Sequence, residues 1–140
     1  MANNLIQYSK VLSKRHKKFN EVLVRVGDLG FTLPYWHTIE DAVVYSVIGQ
    51  MLSNSASRSI ISSLKKHVGS SKQIIIWASR NYTRSGPIYG VSQRKRRALS
   101  EWHKYASSNS GAWVEWGNLS LEAYRKEICS IWGFGQWSAD

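Results

Sequence analysis

From Ile131 to Asp140 the chain reads Ile-Trp-Gly-Phe-Gly-Gln-Trp-Ser-Ala-Asp, and the closely spaced Gly133 and Gly135 carry the most chemical content in the sequence. A Gly-x-Gly turn that opens a helix leaves the first backbone N–H groups of that helix without intrahelical partners. Helped by the helix dipole, those groups can bind a phosphate oxygen. Glycine allows positive φ and lets a second backbone come close; the same pair also fits an ordinary helix cap. Nineteen Lys and Arg against nine Asp and Glu give a formal charge of +10, the sign that attracts phosphate. The charge is concentrated in two runs, Lys14-Arg15 with Lys17-Lys18 and Arg94-Lys95-Arg96-Arg97, which read either as phosphate-attracting patches or as solvated helix faces.

Other chemistry is sparse. His16, His37, His67 and His103 are scattered without the spacing or cysteine companions of a zinc site. The single cysteine, Cys129, can form no internal disulfide and cannot supply the thiolates of an iron-sulfur cluster, and it is expected to be a packed, reduced thiol. Glu40 and Asp41 stand at a helix start, Glu101 on a wet face, and Glu122 and Glu127 before the hairpin, so capping or solvation is the expected role of each. Neither a G-x-x-x-x-G-K phosphate loop nor a G-x-S-x-G elbow is present, which argues against a nucleotide hydrolase or a serine hydrolase. No stretch approaches the ~18 apolar residues of a membrane span, and Met1 to Gln7 lacks the pattern of a secretory leader, so an intracellular protein is expected.

The elements that must position these groups read as helical, an all-α fold of about six helices. Phe19, Val22, Leu23 and Val26 mark a first amphipathic helix ending before Gly27, followed by a loop through Pro34. Thr38 and Asp41 resemble a capping box opening a helix to about Met51, apolar on both sides and therefore central. Ser53 and Asn54 start a helix that ends at Gly69, with Ala56, Ile60, Leu64 and Val68 along one side. The run Ile74-Ile75-Ile76-Trp77 fits a strand or a helix by pattern, and helix is favoured by the all-helical context. Ser92 caps a helix with Ala98, Leu99, Trp102, Tyr105 and Ala106 inward and Arg94, Arg97, Glu101 and Lys104 outward. Ser120 precedes Leu121, Tyr124, Ile128 and Ile131, a helix that runs into the glycine turn, and a new helix starts near Gln136.

Three segments together resemble one family, the helix-hairpin-helix DNA glycosylases, in the branch acting on alkylated purines (3-methyladenine DNA glycosylase II-like). Val47-Ile48-Gly49-Gln50-Met51-Leu52-Ser53 is similar to that branch's I-x-x-Q-Q/L-L/V-S segment. Gly90 to Ala98 is similar to its G-L-S-x-x-K-A segment, and Gly133-Phe134-Gly135-Gln136-Trp137-Ser138-Ala139 to its G-I-G-x-W-T-A hairpin. The order and rough spacing agree, over about residues 36 to 140, which leaves 1–35 as a separate basic helix and loop.

The resemblance implies a partial helix-hairpin-helix glycosylase domain, acting as a monomer on double-stranded DNA in base-excision repair, with a damaged nucleotide rotated out of the duplex. Gly133, Phe134, Gly135, Gln136 and Ser138 would contact DNA. Gln50 or Met51 would fill the gap left by the flipped base, although Met51 also suits a core filler and Gln50 a helix-end hydrogen bonder. Trp137 stands where strand-nicking relatives hold a Schiff-base lysine; an indole is no nucleophile, so a monofunctional enzyme that cleaves with water is implied. Trp137 would stack on an electron-poor purine, unless it is simply a core residue. No cofactor is implied, and a monovalent cation on the hairpin backbone, as in relatives, is left open. The family's catalytic aspartate lies well beyond its hairpin, and Asp140 is too close to Gly135 to match it. The chain is therefore expected to lack the C-terminal part of the domain and to be inactive alone, and a non-catalytic DNA-binding module derived from a glycosylase half-fold is the alternative.

Overall fold

A computed structural model describes residues 36–139, of which the side chains of Ala112, Trp137 and Ala139 lie outside the described set. The expected helix around Phe19 to Val26, the basic run from Lys14 to Lys18, His16 and Asp140 also lie outside it. Among the described residues the fold is all-α. Its elements are α1 (Ile39–Gly49), α2 (Asn54–Val68), α3 (Ser71–Asn81), α4 (Gln93–Ser108), a single turn α5 (Ala112–Glu115) that runs into a 3-10 turn (Trp116–Asn118), α6 (Leu121–Ser130) and the short α7 (Gln136–Ala139). Ile88 and Val91 form an isolated bridge that closes the loop before α4.

Short polar side chains start the helices. Thr38, Ser53, Ser70, Ser92 and Ser120 each accept a hydrogen bond from the backbone N–H three residues on, which satisfies a donor that the helix itself leaves unpaired. Four of these five caps match the sequence reading. The fifth, Ser70, forms a reciprocal capping box with Gln73 and settles the apolar run at 74–77 as helix. The expected end of α1 at Met51 moves back to Gly49, because Gln50 leaves the helical region (φ −52°, ψ 127°) and Met51 turns left-handed (φ 58°).

Helix α1 is the central element, packed against α2, α3 and α4. Its Val44, Val47 and Ile48 are fully buried and meet Ile61 and Leu64 of α2, Ile74 and Ala78 of α3, and Leu99 of α4 in one core cluster. Asp41 ties three helices together, accepting from Lys65 of α2 (3.1 Å), from Ser71 of α3 (2.5 Å) and from its own cap, Thr38 (3.1 Å). The Ser71 hydrogen bond chiefly, then Lys65 and Thr38, hold the Asp41 carboxyl below its ordinary range against the opposing effect of partial burial. Its expected role as a helix-start residue is met, with a tertiary function added.

Two sequence expectations fail on α4 and α6. Arg96 belongs to a run expected to lie outside, yet it is fully buried. Its guanidinium donates to the carbonyls of Asn81, Val91, Arg84 and Gly86, so it pins the loop between α3 and α4. No carboxylate is needed, because these main-chain oxygens satisfy the fork of donors. Cys129, expected to be packed, is exposed: it lies one residue, and so about 100° of helical rotation, beyond the buried Ile128.

Candidate nucleic-acid interface

The hairpin between α6 and α7 is held from beneath. Ile131 and Phe134 are buried, and the Phe134 ring lies 5.9 Å from that of Trp102, a buried residue of α4 that also contacts Tyr105, Trp113 and Trp116. Burying a side chain of this size contributes roughly 1.5–3 kcal/mol, enough to fix where the turn sits. Phe134 N–H donates to the Ile131 carbonyl (3.0 Å). The Phe134 side chain is therefore an anchor in the core, and any contact of this residue with DNA is left to its backbone.

The two hairpin glycines do different work. Gly133 has φ 88°, and a Cβ there would lie 2.5 Å from the Cβ of Ala98, so the turn rests directly on α4. Gly135 has no positive φ, and among the described residues a Cβ there would meet nothing within 4 Å. Gly135 and Gln136 are exposed and Ser138 is half-buried. The positive φ that the sequence reading attached to the turn thus belongs to Gly133, and the open approach belongs to Gly135.

Gln50 separates from Met51. The Gln50 side-chain amide donates to the Gly133 carbonyl (3.2 Å) and to the Ser138 hydroxyl (3.2 Å), which bonds the end of α1 to both sides of the hairpin. A side chain so engaged fits the helix-end hydrogen bonder expected as the other reading of Gln50. Met51 is fully exposed rather than a core filler, and its left-handed backbone turns it out of the end of α1. Such a conformation costs a non-glycine residue about 1–2 kcal/mol, and outliers of this kind cluster at functional sites.

The middle segment joins the other two. Lys95 Nζ donates to the Ile48 carbonyl (2.8 Å) at the C-terminal end of α1, and burial lowers its pKa. Ala98, one turn on, is the floor beneath Gly133. The carbonyls of Ile131, Gly133 and Gly135 each accept a hydrogen bond, from Phe134 N–H, the Gln50 amide and Ser138 N–H, so a cation there would find only the remaining lone pair of each.

Beside the hairpin, on the outer face of α4, lies an open groove of about 680 Å³ whose walls include Arg94, Arg97, Lys104, Tyr82 and Trp132. The Arg97 guanidinium stacks 4.2 Å over the Trp132 ring, and Lys104 Nζ is 5.7 Å from the Tyr82 ring centroid. The sequence reading put the charges of this face in solvent but missed its aromatic walls, which come from other elements.

Four of the six described carboxylates are engaged: Asp41 as above, Glu101 with Lys104 (2.9 Å), Glu127 with Tyr105 (2.5 Å) and Glu115 with Asn118 (3.2 Å); Glu40 and Glu122 stand in the first turns of α1 and α6. His67 Nδ1 donates to the Ser63 carbonyl (2.8 Å), and its ring stacks on Tyr89. Among the described residues, no group of three or more His, Cys, Asp or Glu is placed to hold a metal ion, and no helix is long and apolar enough to cross a membrane. No family model, curated protein or solved structure matches the chain.

Proposed function

We propose that this protein works in DNA base-excision repair as a monofunctional N-glycosylase of the helix-hairpin-helix, alkyl-purine type, acting on double-stranded DNA. The hairpin from Gly133 to Ser138 holds a strand by its phosphates, and Met51 enters the gap left by a damaged purine rotated out of the stack. One observation carries this reading. The three segments that resemble the family are far apart in the chain yet fastened to one another: Gln50 to Gly133 and Ser138, Lys95 to Ile48, and Gly133 against Ala98. A chance likeness of short motifs gives no reason for all three to converge on one turn.

A second reading, a DNA-binding module without catalysis, is favoured by the carboxylates. Cleaving a glycosidic bond builds positive charge on the sugar, which a fixed carboxylate in a dry cleft would stabilise. Asp41, Glu101, Glu115 and Glu127 each already have a partner, and Glu40 and Glu122 stand at helix starts. On this second reading the chain binds and distorts DNA without releasing a base.

Two measurements on the full chain test this. Affinity for a labelled duplex is expected to fall steeply with salt, with a log-log slope near about −5 for six phosphate contacts. Single-turnover release of alkylated purine from methylated duplex separates the two readings: the glycosylase reading expects release above a protein-free control, and the binding-only reading expects none. Release above that control would establish catalysis by residues of this chain and overturn the binding-only reading, while an affinity indifferent to salt would overturn both.

A further inference from the structure

Arg94, Arg97, Glu101 and Lys104 follow one another on α4 at spacings of three, four and three residues, which places them in one stripe along the helix. Arg94 and Arg97 are exposed and form no ion pair or hydrogen bond through their side chains among the described residues, whereas the charge of Glu101 is already taken by Lys104. The stripe therefore carries an uncompensated charge of two. The Glu101 hydrogen bond raises the Lys104 pKa, while the Arg97 charge works in the opposite direction. These like charges share one groove, whose lining also includes Glu101 in its pair with Lys104.

The groove walls suit a particular anion. The Arg97 guanidinium carbon lies 4.2 Å over the Trp132 ring, and its N–H groups, which make no hydrogen bond among the described residues, suit the two oxygens of a phosphate. Trp132 directly precedes Gly133, so the groove begins where the hairpin begins. From Arg94 to Lys104 the helix rises about 15 Å, which matches about four nucleotide steps of one strand at ~3.4 Å each.

We propose that this groove is a second phosphate-binding site, in which Arg94, Arg97 and Lys104 take backbone phosphates spread over about four nucleotide steps of the DNA strand that leaves the hairpin. The inference rests on the DNA-binding reading and extends it from a single turn to a continuous track. Arg97 on Trp132 is its fixed point, Arg94 lies on the near side and Lys104 at the far end. The contacts are sequence-independent, since they touch only the backbone.

The experiment compares the full-length chain with the double variant R94Q/R97Q and its conservative partner R94K/R97K, using duplex-binding affinity measured across a salt series. Circular dichroism serves as the check on folding, and both positions are exposed, so all three proteins are expected to keep their helix content. Losing two phosphate contacts should flatten the log-log salt slope of R94Q/R97Q by about 1.8, at about 0.9 per contact, while R94K/R97K keeps the parent slope. A parent chain that binds DNA with an unchanged slope in R94Q/R97Q would overturn the groove and leave the hairpin reading standing. A parent chain that does not bind DNA would overturn both, and loss of the slope in R94K/R97K to the same extent would overturn the phosphate role of the two charges.

Discussion

The side-chain amide of Gln50 lies 3.2 Å from the carbonyl oxygen of Gly133, a hydrogen bond between residues 83 positions apart that fastens the end of the central helix to the glycine turn. Its second hydrogen bond, to Ser138, makes Gln50 a strap across the hairpin. Gln50→Leu keeps approximate size and removes both donors. It is expected to cost about 1–3 kcal/mol in denaturant unfolding, since a half-buried carbonyl loses its partner, and to weaken duplex binding beyond what the stability loss explains. Unchanged binding in a folded Gln50→Leu protein would mean that the hairpin needs no strap.

The two glycines of the turn should respond in opposite ways. Gly133→Ala places a methyl against Ala98 in a left-handed backbone, so the loss is expected in stability, by roughly 1–3 kcal/mol. Gly135→Val has room among the described residues and should leave helix content nearly intact while weakening DNA binding. Parallel thermal unfolding and duplex titrations separate the two, and global unfolding of Gly135→Val would remove the argument for close approach.

Met51 can be removed at little cost to folding. Because it is exposed, Met51→Ala should change stability by no more than about 0.5 kcal/mol. The expected deficit is in base flipping, read as a smaller fluorescence rise from 2-aminopurine placed beside a lesion in duplex DNA. An undiminished rise would exclude Met51 as the wedge.

Arg96 should be among the least replaceable residues. Even Arg96→Lys, which keeps the charge, cannot reach four carbonyls with a single ammonium, and a loss of at least ~3 kcal/mol is expected in chemical denaturation. By contrast, Arg94→Lys and Arg97→Lys should be close to neutral. Equal stability for all three would contradict the buried geometry of Arg96.

Asp41 sets an acid limit on stability. Its folded-state pKa is lowered, so the carboxylate stabilises the native state at pH above its unfolded value, about 3.9, and that contribution disappears as pH falls through the lower folded value. Asp41→Asn is expected to be less stable than the parent near neutral pH and to converge on it in acid. Parallel stability curves at every pH would show that the Ser71 and Lys65 contacts carry no linkage.

Much of this fold is legible in the sequence because the signals are local. A hydroxyl at Thr38, Ser53, Ser92 or Ser120 caps the helix that follows it wherever that helix later packs, and the apolar spacing of Ala98, Leu99 and Trp102 already names the inner face of α4. The helix at 71–81 was legible too, through the Ser70 and Gln73 pair, a capping signal that the apolar run beside it obscures. Arg96 left a trace as well: it stands three residues before Leu99, on the inner face, although charge alone assigns it to solvent. What no local signal could decide is which residues from distant segments would meet. The strap formed by Gln50 depends on the Gly133 carbonyl, and the different surroundings of Gly133 and Gly135 depend on whether Ala98 lies beneath. Likewise the groove exists only because Trp132 and Tyr82, from two other parts of the chain, stand beside the charges of α4. Helix starts and faces follow from interactions within a few residues, whereas partners across 83 positions are chosen by how the helices pack.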